Sequence, residues 1–323
     1  MNTPSGAFNM KDLEPVENPR CLKSTLVRWN PDARAPNWLA SLKEQLKTDE
    51  MVEYFLRLMY VSCLGESSEK LFVLLMGKPD CGKTTQCELI GKILGSYAAN
   101  IRPEFWYNDY NRSLAVEEAS FFGVRFVWSA ELSKDKRLDV GKLKRFAGND
   151  TIKGEKKHRD PFEFTPSHTI WFSCNEPPAA DPGDDAFWNR PKVMPFMHPI
   201  ENPDKRYVAN SIEEEGEGIL AEIMRAGQRY WAEKQKIEEP NEVKKATASY
   251  RSDNATFEEF NERNLLIDCD SSASVTLTWV AYVQVYGKSP RRLGEREFSR
   301  RMQELYRRDH KSDGNYYMGV RLK

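Results

Sequence analysis

Long apolar runs are missing from these 323 residues. None approaches the roughly eighteen residues that a membrane-spanning helix needs, so no membrane association is expected. The first twenty residues are polar and proline-rich and lack the apolar stretch of an export signal, so they are expected to form a loose tail, residues 1–20. The six cysteines have no paired spacing. That excludes a zinc ribbon and fits reduced thiols in a cytoplasmic setting. Internal repeats and low-complexity tracts are absent as well. An excess of one charge is also lacking: 48 Lys and Arg stand against 49 Asp and Glu, a net charge of −1.

The near-neutral total hides segregation. Ser133–Arg159 holds ten basic residues against four acids, and Lys288–Lys311 holds nine against four. Residues 201–242 lean acidic. Two basic blocks in a neutral chain point to local contact with a polyanion; solvated helix faces would look the same in isolation.

The most informative stretch is Gly77, Lys78, Pro79, Asp80, Cys81, Gly82, Lys83, Thr84 and Thr85, directly after the apolar run Leu71–Met76. A buried strand, a glycine-bearing loop and Lys-Thr opening a helix form a cradle for nucleotide phosphates. Loop amides and the helix start supply positive potential. Lys83 is expected to reach the β/γ-phosphates, and the Thr84 hydroxyl to hold Mg²⁺. Leu89, Ile90, Ile93 and Leu94 share one stripe of the helix expected over Thr84–Leu94, which Gly95 ends. Cys81 reads as a small filler without chemistry.

Phosphoryl transfer to water also needs a carboxylate and a water-orienting group near that loop. The apolar strand expected over Val124–Glu131 ends in one carboxylate, Glu131, the candidate for activating water and supporting Mg²⁺. Only one acid stands here, which leaves the second metal-supporting group open. A further strand is expected over Thr169–Asn175, before Glu176-Pro177-Pro178; the Asn175 amide at that tip can bond the water and the terminal phosphate. Arg190 in Phe187-Trp-Asn-Arg190 is a candidate to stabilise the transition state from a neighbouring subunit, or else a structural ion-pair partner.

Around this core, residues 36–66 read as helical, with Trp38, Leu39, Leu42 and Leu46 and then Val52, Tyr54, Phe55, Leu58 and Met59 at helical spacing. Strands and helices alternate from about Leu71 to Phe196, which predicts an α/β fold with a largely parallel sheet. Residues 205–236 read as a helix with Ile219, Leu220, Ile223, Met224 and Tyr230 inward. Pro240 is expected to begin a linker. In the last unit, helices are expected over Thr256–Leu266, Thr276–Tyr286 and Glu295–Arg308, the third exposing Arg296, Arg300, Arg301, Arg307 and Arg308. A turn at Ser312–Asn315 and a strand Tyr316–Leu322 follow.

The phosphate loop, strand-end Glu, lysine-rich segment, strand-end Asn and trailing Trp-x-Arg occur in this order within about 115 residues. Together with "FVWSAEL", "KLKRFAGNDTIKGEKKHRDPFEFTPSHTIWFSCNEPP", "DDAFWNRPKVMPF" and the preceding "PNWLASLKEQL" and "MVEYFLRLMYVSCLGE", this resembles superfamily III helicases of the AAA+ class, the phage/plasmid and poxvirus primase-helicases above all. The resemblance implies an AAA+ P-loop NTPase core over 69–240 with an N-terminal helical segment at 21–68. It makes Lys83 and Thr84 the Walker A pair, Glu131 the Walker B acid, Asn175 the γ-phosphate sensor and Arg190 the arginine finger. It also implies a β-hairpin within Gly148–His158 whose Lys156, Lys157 and His158, with Lys153 nearby, grip DNA phosphates. Cys81 stands where the family carries a small polar residue, and Asn189 replaces the first of two arginines. Residues 250–323 resemble a winged helix, with Arg296 and Arg300 facing duplex or origin DNA; a protein-binding module is the alternative.

The resemblance further implies an ATP- and Mg²⁺-dependent ring, a hexamer, that moves on single-stranded DNA during replication of a phage, plasmid or mobile element in the host cytoplasm. A primase or polymerase would be a separate partner, since residues 1–70 carry neither an acidic primase pair nor zinc-ribbon spacing. Three other classes share parts of the pattern. A small-molecule kinase needs Lys83 and Thr84 but neither Asn175, Arg190 nor a basic hairpin. A loader or origin-binding initiator hydrolyses ATP without unwinding. A single module of a larger primase-helicase would carry the motor alone.

Overall fold

A computed structural model describes residues 1–65, 69–108, 114–155, 160–180, 184–200, 204–289 and 291–323. Among them no helix is long and apolar enough to cross a membrane.

The chain opens with two short paired strands, β1 (Asn2–Thr3) and β2 (Gly6–Ala7). The expected loose tail is not seen here: Phe8 and Met10 are buried, Phe8 stacks on Trp29 at 4.2 Å, and Tyr60 donates to the Met10 carbonyl at 2.8 Å. Composition marked this segment as polar, but three apolar side chains, Met1, Phe8 and Met10, dock its first half on the helices that follow, while residues 11–20 stay almost wholly exposed. Those are α1 (Pro36–Leu46) and α2 (Asp49–Leu64). Proline stands at the start of α1, where its missing N–H costs nothing. The Thr48 side chain caps α2 by accepting from the Met51 amide, and Gly65 ends it in the left-handed conformation at φ 78°.

The core then runs β3 (Phe72–Met76), α3 (Lys83–Leu94), β4 (Ala98–Asn100), α4 (Leu114–Glu118), β5 (Phe126–Ser129), α5 (Val140–Phe146), β6 (Ile152–Gly154), β7 (Phe162–Phe164), β8 (Thr169–Cys174), α6 (Asp185–Trp188), β9 (Pro191–Pro195) and α7 (Tyr207–Ala232). Five strands form one parallel sheet in the order β4-β5-β8-β3-β9, as expected for an α/β core. Both faces are covered, which explains why the strands read as unbroken apolar runs. Val73, Leu75, Phe126 and Trp171 face a core shared with α1, α2, α3 and α7. Their neighbours Phe72, Leu74, Val127, Ile170 and Phe172 face a second core with Phe105, Trp106, Phe121 and Phe146. All five apolar residues predicted for the long helix, Ile219 to Tyr230, are buried in the first core. β6 and β7 pair as a small antiparallel hairpin, Lys153 opposite Glu163, rooted by Phe162 and Phe164 against Phe122.

Pro240 begins no linker. It precedes α8 (Asn241–Asp253), whose Val243 and Tyr250 are buried and whose Thr247 hydroxyl accepts from the Val193 amide at 3.0 Å. A proline before a polar run suits a helix start as well as a linker. The remaining elements are α9 (Thr256–Asn264), β10 (Leu265–Ser274), α10 (Val275–Tyr286), α11 (Glu295–Leu305), β11 (Arg308–Lys311) and β12 (Gly314–Leu322), around an apolar cluster of their own. The first helix therefore stops at Asn264, and β10, a polar strand not foreseen, pairs antiparallel with β12. α11 ends at Leu305, which leaves Arg307 outside it and puts Arg308 on a strand.

His168 is buried beside Phe121 and Phe146, at ring distances of 5.1 and 6.1 Å, and burial pushes its pKa from 6.5 down to about 3. The unfolded chain therefore takes up a proton below pH 6.5 that the folded chain refuses. Stability from this site is complete above pH 6.5 and falls with acidification toward pH 3, at about 1.4 kcal/mol per pH unit. Denaturant titrations across this range are expected to show a shallower acid limb for His168→Leu than for the wild type.

Candidate functional site

The parallel register brings the carboxyl ends of β3, β5 and β8 to one edge, with β8 between the other two. Each strand continues into a loop carrying one motif, and residues from all three loops line a single cavity of about 530 Å³. Pro79 to Thr85 form one wall, Glu131 to Lys134 a second and Ser173 to Glu176 the third. Lys83, Thr84, Glu131 and Asn175, separated by up to 92 positions in the chain, thus share one cleft.

Two glycines make the loop possible. A Cβ on Gly77 would lie 1.7 Å from the Phe196 carbonyl oxygen, which itself follows β9. Gly82 stands at φ 77° as the N-cap of α3, with Gln45 against it. The Lys83 ammonium is 6% exposed and donates to the carbonyls of Gly77 at 2.8 Å and Lys78 at 2.6 Å. Burial lowers its pKa below 10.5. An incoming phosphate offers this cation a stronger partner than neutral carbonyls. The Cys81 thiol is buried 3.6 Å from the Pro79 carbonyl, and burial raises its pKa, which leaves it unreactive as expected of a filler.

Ser173 was not singled out in the sequence, yet its hydroxyl lies 2.8 Å from that of Thr84. The signal was present as a polar residue near the tip of an apolar strand. Glu131 is exposed into the cleft and stands at φ 61°, an uncommon backbone for a glutamate, so the chain kinks where β5 ends. The next amide, of Leu132, donates back to the Ser173 carbonyl at 3.2 Å. Glu176, beside Asn175, pairs with Lys134 at 2.7 Å. Among the described residues no group of three or more His, Cys, Asp or Glu is arranged around a metal. A hydroxyl at Thr84 with a carboxylate nearby instead suits Mg²⁺, which keeps waters and takes phosphate oxygens as ligands.

Arg190 is not in this cleft. Its carbonyl accepts from the Phe72 amide at the opposite end of β3, roughly 15 Å away along five residues of strand. It precedes β9, an outer strand of the sheet, and its guanidinium bonds the Ala186 carbonyl.

The polyanion candidates divide. Lys153 is exposed and pairs with Glu163 at 3.3 Å across the hairpin; Lys156, Lys157 and His158 lie outside the described residues. Arg296 is exposed on α11, whereas Arg300 pairs with Glu297 at 2.6 Å and with Glu304. Arg301, expected on the exposed face, is buried between Glu258 and Glu297, at 2.9 and 3.0 Å. A long cationic side chain at helical spacing can turn inward when acids await it, which periodicity does not reveal.

A family model described as a family of unknown function (DUF5906) matches residues 75–190. The chain is 31% identical over 158 residues, 48% of its length, to the candidate helicase L207/L206 of Acanthamoeba polyphaga mimivirus, and 26% identical over 248 residues, 71% of its length, to the candidate helicase 022R of Frog virus 3 (isolate Goorha). These matches span 16% and 26% of the relatives' own lengths. The apo C-terminal region of NrS-1 shares the fold, with a TM-score of 0.52 at 15% identity over 86% of this chain and 64% of that one. The resemblance to superfamily III helicases read from the motifs agrees with these viral helicase relatives and with that fold.

An anion held in this cleft by Lys83 needs the charged ammonium, so phosphate affinity is expected to fall as pH rises through the lowered Lys83 pKa, earlier than an ordinary lysine at 10.5 would allow. Titration of a fluorescent ATP analogue against pH checks this; Lys83→Arg should remove the pH step.

Proposed function

We propose that this chain is the ATP-hydrolysing motor of a superfamily III-type helicase, assembled as a ring and moving on single-stranded DNA during replication of a viral or other mobile genome. The observation that carries the reading is the convergence of Lys83, Thr84, Glu131 and Asn175 on one cleft, with Arg190 held at the other end of the sheet. A group that far from its own cleft can serve phosphoryl transfer only in the cleft of a neighbouring copy. The helicase relatives support the DNA substrate.

In this mechanism Gly77–Gly82 amides and Lys83 bind the β/γ-phosphates. The Thr84 hydroxyl, oriented by Ser173, accepts the metal. Mg²⁺, when bound, neutralises charge between the phosphates. Glu131 takes the proton of the attacking water, and Asn175 fixes that water against the terminal phosphate. Arg190 of the next subunit stabilises the charge that develops on the transferred group. Lysines of the hairpin segment, Lys153, Lys156 and Lys157 with His158, track the strand by phosphate contacts without reading bases. Arg296 and Arg300 in the winged-helix-like unit are the proposed duplex contacts.

ATP hydrolysis assayed with and without single-stranded DNA tests the reading, with Lys83→Ala as the inactive control. Turnover should rise with DNA, and Lys156→Ala/Lys157→Ala should lose that rise. Particle mass with ATP and DNA should show rings, and mixing Arg190→Ala subunits with wild type should lower turnover by more than dilution. Phosphate transfer to a small acceptor without DNA stimulation would favour a kinase. Hydrolysis without strand displacement on a fork would favour a loader.

A further inference from the structure

The loops that carry Glu131 and Asn175 are fastened to each other and then to α8 and the carboxy-terminal unit. Between them, the Ala179 amide donates to the Lys136 carbonyl at 3.0 Å and the Leu138 amide to the Ala179 carbonyl at 2.8 Å. From outside, the Tyr250 hydroxyl donates to the Pro178 carbonyl at 3.0 Å, and the Asn254 carboxamide oxygen accepts from the Ala180 amide at 2.9 Å. Arg291 donates to the Pro177 carbonyl at 3.3 Å, and Arg137 in turn donates to the Arg292 carbonyl at 3.0 Å. Pro177, Pro178 and Ala180, three of the four residues after Glu176, are therefore bonded by side chains from α8, its C-cap and the carboxy-terminal unit.

Those side chains are themselves held. Tyr250 and Asn254 are buried, and Asn254 also donates to the Tyr250 carbonyl at 2.8 Å. The Thr256 hydroxyl, 2.8 Å from that of Tyr282, donates to the Arg291 carbonyl at 3.1 Å, and Tyr282 sits in the carboxy-terminal core. Tyr250 meets Trp188 edge-to-face at 5.0 Å, and Arg251 pairs with Asp185, so the same helix braces α6, from which Arg190 emerges.

We infer that Tyr250, Asn254 and Arg291 are positioning residues for Asn175: they fix the backbone of 177–180 and thereby the angle at which the Asn175 amide meets water and phosphate. The inference rests on the proposed ATPase reading. A proline pair alone cannot set that angle, because Glu176–Ala180 has no ladder of its own beyond the bonds to Lys136 and Leu138. Binding of nucleotide depends on the separate loop 77–84, so loosening the clamp should spare binding and slow chemistry.

Steady-state ATP hydrolysis by full-length Arg291→Ala and Tyr250→Phe tests this. Each should lower kcat about tenfold with KM within about twofold of wild type. Arg291→Lys, which can still donate to Pro177, should recover most of the loss. In an Asn175→Ala background Arg291→Ala should cost nothing further, since the clamp acts through that side chain. Unchanged kcat, or equal losses in both backgrounds, overturns the inference. If the wild type hydrolyses no nucleotide, the ATPase reading fails instead. Amide exchange at Ala179 and Ala180 then decides the clamp: faster exchange in Arg291→Ala upholds it, and unchanged exchange refutes it.

Discussion

Every functional arrangement in this protein depends on β8 lying parallel between β3 and β5. Parallel strands in register end together, so three loops of unrelated sequence are delivered to one edge at the spacing of neighbouring strands, about 4.8 Å apart. The constraint is tight. The carbonyl of Phe196, one residue past β9, occupies the space a side chain at 77 would need, so the loop after β3 must start with glycine. Ser173 completes the junction by joining the strand of Asn175 to the helix of Thr84 with a hydroxyl pair.

The amino-terminal helices serve this edge from behind. The Trp38 indole donates to the Gln86 carboxamide at 2.9 Å, and Gln86 donates to Gln45 at 3.2 Å, all three buried. Gln45 also packs against Gly82. A buried polar chain of this kind has one satisfied geometry and fixes α1 against the phosphate-loop helix more specifically than apolar packing would. The segment once expected to be loose adds a further layer, with Met10 bonded to Tyr60 of α2.

Seen from the opposite side, the carboxy-terminal unit is more than an appended binding module. It meets the loop of Glu131 through Arg292 and that of Asn175 through Arg291, while α8 reaches the latter loop and the helix before Arg190 through Tyr250 and Arg251. The cleft and Arg190, at opposite ends of the sheet, therefore share one brace in α8.

Residue order alone was enough for the glycine-bearing loop between β3 and α3, the buried strands and the amphipathic helices, because each is a local pattern of glycine, apolar runs or 3.6-residue periodicity with little competition from distant contacts. It was not enough for β10, whose polar side chains give no strand signal, nor for α8, whose start looked like a break. Nor could it foresee that Arg301 turns inward to two acids, or that Ser173 reaches Thr84. β10, Ser173 and the Glu258 partner of Arg301 are settled by contacts between residues far apart in the chain, which outweigh local preference. The polypeptide's order fixed which groups were present for chemistry; folding fixed which of them meet, since only the stacked strands and docked helices bring positions 83, 131 and 175 within one cavity and hold 190 apart.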